Sequence, residues 1–269
     1  MRRSTLPRVV TVVDVSRALS DEDRRRLGAT FNSAAALYER ARPDYAADAV
    51  TWLLPRDAQR VLDLGAGTGK LTADLVGRGL DVVAVEPAPA MRAELSARLS
   101  TVDVHTGSAE ATGLPDGYVD AVLIAAALHW FERPAADREI ARVLRPGGVV
   151  GVLANQRDTS VAWTRALDEL LAARLAGLPR SPRSTDEAMF DPEWFDPPEH
   201  AEFPHRQTVD AAGLVDVIAT RAYVIDLPAQ ARAALLDEVQ ELGRNHPDLE
   251  GRPEFEMPYT TIAVRSRRH

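Results

Sequence analysis

The chain has 269 residues, of which 45% are hydrophobic and 27% charged, as expected for a globular protein with one large core. It contains no cysteine, which excludes a disulfide framework, a thiolate nucleophile and a cysteine-bound zinc ion. Its net charge of −8 at pH 7 disfavours a nucleic-acid substrate, because phosphate backbones are bound by basic surfaces.

The amino-terminal residues are predicted to precede the main sheet. Residues 1–20 resemble a signal peptide only superficially, because Arg8 and Asp14 bracket a short apolar run, so we expect a mobile leader on a cytoplasmic protein. Helices are predicted within residues 21–45, where they would form part of a lid. Tyr38 and Arg42 are four residues apart and therefore share one helix face.

Residues 60–69 are the most informative segment. An apolar run predicts a buried strand with Asp63 near its end, and a loop containing Gly65, Gly67 and Gly69 follows before helical spacing resumes. The resulting D-x-G-x-G-x-G pattern differs from the G-x-G-x-x-G dinucleotide motif and from the phosphate loop. A nicotinamide oxidoreductase is therefore disfavoured.

A second carboxylate is predicted beside this loop. Residues 81–86 form a buried strand pattern that ends in Glu86, about twenty residues after the glycines. At the tip of a neighbouring parallel strand, this carboxylate can accept hydrogen bonds from both hydroxyls of a ribose. Pro87 would then hold the turn beside an adenine. The alternative is a solvated carboxylate at a strand end.

Strand and helix patterns alternate along the rest of the chain. Strands are also predicted at residues 102–105, 119–124, 148–153, 202–207 and 259–264, and helices at 46–54, 91–99, 134–144, 163–175 and 235–244. Such repeated units indicate a parallel sheet with right-handed crossovers. Residues 160–206 contain a long proline-rich stretch, which we interpret as a cap or lid over the catalytic end of the sheet.

Several motifs together resemble class I S-adenosylmethionine-dependent methyltransferases, in particular a bacterial subgroup that acts on small molecules. The motifs are the glycine loop, the run from Phe31 and Asn32 through Tyr38 and Arg42 to Tyr45, and residues 107–110, 114–115, 128–131 and 142–148. This resemblance covers residues 31–158. It implies an α/β fold with a seven-stranded Rossmann-like sheet that is mostly parallel with an antiparallel last strand, helices on both faces, and one domain over residues 21–269.

The resemblance also implies a site for S-adenosylmethionine, with S-adenosylhomocysteine as the product. The residues it assigns to the cofactor are Arg42, Asp63, Gly65, Ala66, Gly67, Gly69, Glu86, Pro87, Ser108, Ala109, Glu110 and Leu128. In this set, Asp63 orders the loop or meets the methionine ammonium, Glu86 holds the ribose, and Arg42 lies near the methionine carboxylate. Residues 108–110 would surround the adenine, with Glu110 as a solvated loop acid as the alternative.

Two residues are predicted to act in catalysis. His129 follows the fourth strand, where residues of this fold approach the methyl group, and an ordinary histidine pKa suits proton transfer near neutral pH. Tyr38 would close over the methyl group. The alternatives are a histidine that only hydrogen-bonds the fold, a tyrosine in the seam between helix and core, and for Arg42 an arginine that caps its own helix. Asn155 and Asp158, after the fifth strand, are further candidates to face the acceptor.

These features predict an enzyme that moves a methyl group from S-adenosylmethionine to a small organic acceptor by in-line displacement. The attacking atom can be oxygen, nitrogen or carbon. The alternative is a non-catalytic protein that binds the cofactor or a partner on the same fold. The expected partner is a small molecule, with neither nucleic acid nor membrane, no metal, and a monomer or homodimer.

Overall fold

A computed structural model describes residues 35–176 and 190–269. The predicted leader at 1–20, the part of the predicted amino-terminal helices at 21–34, with Phe31 and Asn32, and residues 177–189 lie outside the described residues.

The described residues form alternating strands and helices, in the order that the sequence patterns predict. The strands are β1 (Arg60–Leu64), β2 (Asp81–Val85), β3 (Asp103–His105), β4 (Val119–Ala125), β5 (Leu144–Arg157), β6 (Glu199–Val209) and β7 (Phe255–Arg267). The helices are α1 (Ala35–Ala41), α2 (Ala47–Leu53), α3 (Lys70–Gly77), α4 (Pro89–Arg98), α5 (Ala135–Val143), α6 (Ala162–Arg174), α7 (Ala211–Ala219), α8 (Ala222–Ile225) and α9 (Ala229–Asn245). None of these helices combines the length and apolar character needed to cross a bilayer.

The strands form one sheet in the order β3-β2-β1-β4-β5-β7-β6. Strands β1 to β5 pair in parallel, and β7 runs antiparallel to both of its neighbours. The predicted α/β sheet with an antiparallel last strand is therefore confirmed. Strand order reverses direction between β1 and β4, and in open sheets of this kind ligands bind outside the carboxyl ends of the strands at that point.

Alternate residues of the central strands enter two different cores, as the two-residue period of a strand requires. In β1, Leu62 and Leu64 join a cluster with Ile140 of α5 on one face of the sheet. Val61 joins Leu53 of α2 on the opposite face. Because both faces are covered, the carboxyl end of β1 is held rigidly at the edge where the glycine loop begins.

A third core lies beyond the carboxyl end of β5. It is formed by Trp163 of α6, Leu214 of α7 and Val239 of α9, which pack with Met257 and Tyr259 at the beginning of β7. We call α6, α7, α8 and α9 the cap helices, because they cover this end of β5, β6 and β7. The sequence patterns predicted α6 and α9 but missed α7 and α8.

The predicted lid over residues 160–206 needs correction. Its last part, from 199 onward, belongs to edge strand β6, because it pairs along its full length with β7. Phe195 bridges Arg268, and Arg267 pairs with Val149 at the beginning of β5, so this segment reaches the edge opposite the glycine loop. Within the predicted range, helix α6 packs on Met257 and Tyr259, next to the carboxyl end of β5.

Candidate active site

The three glycines of the loop after β1 all have positive φ, but they differ in what surrounds them. A Cβ added to Gly65, at φ +75°, would lie 2.8 Å from the Cβ of Ala127, and one added to Gly69, at φ +88°, would lie 2.8 Å from Cγ of Leu95. A Cβ on Gly67, at φ +58°, would meet no protein atom within 4 Å. The loop is therefore packed at its two ends and open at its middle glycine.

Glu86 lies against this open glycine. It is only 7% exposed, and its Oε2 accepts a hydrogen bond from the Gly67 N–H at 2.8 Å. Its Oε1 accepts from the Ala88 N–H at 2.8 Å, and its own N–H donates to the His105 carbonyl at 3.2 Å. Burial raises the pKa of this carboxyl, opposed by the two backbone hydrogen bonds. A carboxylate has about four acceptor positions, so it can accept further donors.

Asp63 is a second buried carboxylate, one strand away. Its Oδ2 accepts a hydrogen bond from the Thr72 hydroxyl at 2.6 Å, whereas its buried Oδ1 has no partner within the described residues. The pKa of Asp63 is raised to about 7, chiefly by burial and also by the nearby charge of Glu86, although hydrogen bonding to Thr72 opposes the rise. A buried carboxylate oxygen without a donor is a place where a cationic or hydrogen-bonding ligand group is favoured.

The loop after β3 forms the far side of the same edge. Ser108 and Ala111 bond to each other's backbone, and the N–H of buried Ala109 donates to no acceptor within the described part of the chain. Glu110 accepts a hydrogen bond from the Glu132 N–H at 2.7 Å, so this acid joins two loops. Three predicted cofactor residues remain. Leu128 is buried in the same core as Ala109, and Pro87 is exposed. The Ala66 N–H donates to the Val85 carbonyl.

Helix α1 is attached to the glycine loop through a residue that the sequence analysis missed. The Glu39 carboxylate accepts a hydrogen bond from the Thr68 hydroxyl at 2.5 Å and pairs with Arg98 at 2.8 Å. Lys70 lies 3.8 Å from the same carboxylate. No motif marks Glu39, because its partners are on the loop and on two later helices.

Arg42 extends from the end of α1 to the cap helices. Its guanidinium carbon lies 4.9 Å from the centre of the Tyr38 ring, and its Nη2 donates to the Thr220 carbonyl at 3.2 Å. The side chain therefore bonds across the fold rather than to the last carbonyls of its own helix. Tyr45 is an electrostatic neighbour of this arginine. Burial and the nearby Tyr38 raise the pKa of Tyr45, Arg42 opposes the rise, and Asp63 adds to it.

His129 lies in a short 3₁₀ turn after β4. Ala126, three residues before it, has a φ of +52°, an unusual conformation for a residue other than glycine. The centres of the His129 and Trp130 rings are 4.5 Å apart. Burial and, to a smaller extent, the positive charge of Arg42 lower the pKa of His129 to about 4. The expectation of an ordinary histidine pKa is therefore corrected, because the ring is desolvated and close to a cation.

Asn155 and Asp158 hold parts of the fold together. The Asn155 amide donates to the Asp44 carbonyl at 2.7 Å and accepts from the Thr261 hydroxyl at 2.6 Å. Asp158 accepts from the Ser160 N–H at 2.9 Å, in the turn before α6. Both side chains are engaged by the protein itself, which does not favour the predicted contact with an acceptor.

A basic cluster that the sequence analysis did not identify lies next to Arg42. Arg157, at the end of β5, donates to Asp168 at 2.6 Å through its Nε. Arg221, between α7 and α8, has a buried Nε without a partner among the described residues. Burial lowers the pKa of Arg221 to about 10, and the charge of Arg42 is the next largest cause. The residues come from distant parts of the chain, so no local motif indicates them.

Comparisons with known proteins agree with this geometry. A family model described as a methyltransferase domain matches residues 62–152. An uncharacterized methyltransferase of Mycobacterium tuberculosis is 44% identical over 243 residues, which cover 90% of this chain and 97% of that protein. An uncharacterized methyltransferase-like protein of Schizosaccharomyces pombe is 29% identical over 244 residues, with 89% and 95% covered.

Solved structures share the fold. A proposed type II methyltransferase from Anaeromyxobacter dehalogenans superposes with a TM-score of 0.63 at 24% identity, covering 84% of this chain and 97% of that one. A phosphoethanolamine N-methyltransferase of Haemonchus contortus, in complex with phosphomonomethylethanolamine and S-adenosylhomocysteine, superposes with a TM-score of 0.51 at 14% identity, covering 93% and 60%.

Proposed function

Because the chain belongs to the class I, Rossmann-like methyltransferases that use S-adenosylmethionine, we propose that it transfers the methyl group of this donor to a small organic acceptor. The observation that carries the proposal is the contact of Glu86 with Gly67, next to the buried Asp63, where the strand order reverses. The same fold in the Haemonchus enzyme holds S-adenosylhomocysteine, which supports this choice of donor.

The residues around the glycine loop fit the polar groups of the donor. Glu86, with two of its acceptor positions in use, accepts hydrogen bonds from the ribose hydroxyls. The unpartnered Oδ1 of Asp63 receives the methionine ammonium, and Arg42 receives the methionine carboxylate. The open space at Gly67 admits the sugar, and the Ala109 N–H donates to the adenine.

The bound sulfonium supplies an electrophilic methyl carbon, so the protein mainly aligns the acceptor and excludes water. Alignment of this kind accounts for about 7–11 kcal/mol of barrier reduction in well-oriented reactions. His129 is neutral at pH 7 because its pKa is about 4. We therefore assign it the role of a hydrogen-bond acceptor that orients an O–H or N–H of the methyl acceptor, and Tyr38 the role of covering the methyl group.

A turnover assay tests the proposal. The purified chain is incubated with S-adenosylmethionine and a panel of small oxygen, nitrogen and carbon nucleophiles, and S-adenosylhomocysteine release is measured. We expect release that depends on one class of acceptor. Binding of S-adenosylhomocysteine by calorimetry without turnover on any acceptor would favour the non-catalytic alternative, and absence of binding would contradict the donor assignment.

A further inference from the structure

Arg221 is a half-buried cation with no acidic partner among the described residues. It lies at the junction of α7 and α8, and its Nε is buried without a hydrogen-bond acceptor among the described residues. No carboxylate of residues 35–176 or 190–269 lies within 4.0 Å of its guanidinium. Burying part of an arginine without an anion costs free energy, and a ligand that supplies a negative charge would offset that cost.

The two arginines near Arg221 increase the need for an anion, while two nearby tyrosines offset it in part. Its electrostatic neighbours are Arg42, Arg157, Tyr223 and Tyr259, and none of them is a carboxylate. The Arg42 guanidinium bonds to the carbonyl of Thr220, the residue adjacent in sequence, so two cations approach each other here. Like charges at short range disfavour each other's charged form, and an anion beside them relieves that cost.

In the basic cluster of Arg42, Arg157 and Arg221, one positive charge has no negative charge to balance it, counting the described residues and the donor. Three guanidiniums belong to it, and Asp168 neutralises that of Arg157. In the proposed function, the methionine carboxylate of the donor neutralises Arg42. Arg221 is then the one cation of the cluster that has no anion beside it, from the donor or from the described residues. A single negative charge from a molecule other than the donor would neutralise it.

The cluster lies at the carboxyl end of β5 and is close to His129, the residue assigned above to orient the acceptor. Tyr259 pairs with Arg157 in the β5–β7 ladder at the carboxyl end of β5, and Tyr259 is electrostatically coupled to Arg221. Arg42 affects both Arg221 and His129, which places it between the cap helices and the turn after β4.

We propose that Arg221 binds a carboxylate group of the methyl acceptor, with Arg42 and Tyr223 beside it. The inference rests on the proposed function, and it narrows the acceptor to small carboxylic acids. The planar fork of an arginine matches a carboxylate in two parallel hydrogen bonds, and the single unmatched cation fits a monoanion better than a phosphate dianion.

The test uses the protein saturated with S-adenosylhomocysteine, so that no turnover occurs. Calorimetry and thermal shift compare the monoanions benzoate and butyrate with benzamide and butyramide, and with inorganic phosphate. We expect the carboxylates to bind and to raise the melting temperature above the values seen with the amides. Arg221→Gln should weaken carboxylate binding by about tenfold or more, and Arg221→Lys by less, since a charged hydrogen bond is lost or made monodentate.

Two controls separate the possible outcomes. Arg174→Gln removes an exposed arginine of α6 that pairs with Glu238, and it should leave carboxylate binding unchanged. S-adenosylhomocysteine binding should change little in Arg221→Gln; a large loss there would assign Arg221 to the donor carboxylate and overturn the inference. Equal binding of acids and amides, or tighter binding of phosphate, would also overturn it. Failure of the wild-type chain to bind S-adenosylhomocysteine would instead contradict the proposed function.

Discussion

The Glu86 carboxylate accepts a hydrogen bond from the Gly67 N–H at 2.8 Å, so the acid that follows β2 is fixed to the loop that follows β1. This contact links two strands that are neighbours in the sheet, and it directs a carboxylate at the most open position of the loop. It is the central geometric feature of the proposed donor site.

Substitution of Glu86 tests that feature. We expect Glu86→Ala to weaken binding of S-adenosylmethionine by at least about tenfold, because hydrogen bonds to a charged carboxylate contribute roughly 1.5–3 kcal/mol each. Calorimetric titration measures the effect. Glu254→Ala, which changes an exposed acid before β7, is the matched control and should bind normally. Unchanged affinity in Glu86→Ala would remove this residue from the ribose site.

Two glycines of the loop differ in what the same substitution is expected to disturb. Gly67→Ala should cost roughly 1–2 kcal/mol of folding free energy for its positive φ, but should block donor binding, because the new methyl group enters the open space. Gly65→Ala should destabilise the fold by more, since its Cβ would also lie 2.8 Å from that of Ala127. Denaturant unfolding measures the loss of stability in each variant, and titration with S-adenosylhomocysteine measures ligand binding. A Gly67→Ala protein that binds normally would show that the ligand lies elsewhere.

The buried Asp63 predicts a pH dependence. Its pKa is raised from 3.8 to about 7 in the folded, ligand-free protein, so the folded state holds a proton that the unfolded state releases across this range. Its contribution to stability is therefore greatest at low pH and declines as pH rises toward 7, by at most ~1.4 kcal/mol per pH unit. Asp63→Asn should remove this decline, so the ligand-free variant should melt higher than the wild type above neutral pH.

The same residue predicts a change in donor affinity. A methionine ammonium favours the ionised carboxylate, so binding by the wild type should weaken below pH 7 and release protons there. Asp63→Asn should bind the donor more weakly and without that pH dependence. Calorimetry in buffers of different ionisation enthalpy measures the released protons. Proton-free binding by the wild type would contradict the assignment of Asp63 to the ammonium.

His129 should titrate far below neutral pH. Its pKa is about 4, because the ring is buried and Arg42 is near, so NMR of the imidazole protons should show one protonation near that value. Arg42→Met should raise the His129 pKa, because it removes the neighbouring positive charge. Arg40→Met, on the same helix but paired with Asp216 at the surface, is the control and should leave it unchanged. A wild-type midpoint near the ordinary histidine value would restore His129 as a candidate base.

The sequence predicted the parts of the site that depend on local patterns. The positions of Asp63 and Glu86 follow from two strands and a loop that are close in the chain, and the parallel pairing of β1 and β2 brings them together. The predicted strands were also correct in type, although β5, β6 and β7 extend further because pairing across the sheet continues past their apolar centres.

The remaining features depend on contacts between distant residues. Arg42 bonds to the carbonyl of Thr220, which is 178 positions later in the chain, and Arg221 is identified only by the absence of an acid around it in the described fold. The pKa of His129 depends on burial that no spacing of residues reveals. Pro-rich residues 190–198 suggested a lid, but Phe190 and Phe195 pack into the core on the α5 side of the sheet.

The most direct test of the central claim is a crystal structure of this chain with S-adenosylhomocysteine. The account predicts that the adenosyl group lies outside the carboxyl ends of β1 and β2, with both ribose hydroxyls hydrogen-bonded to the Glu86 carboxylate and the sugar over Gly67. A ligand bound at another edge of the sheet, or a ribose held by residues other than Glu86, would contradict it.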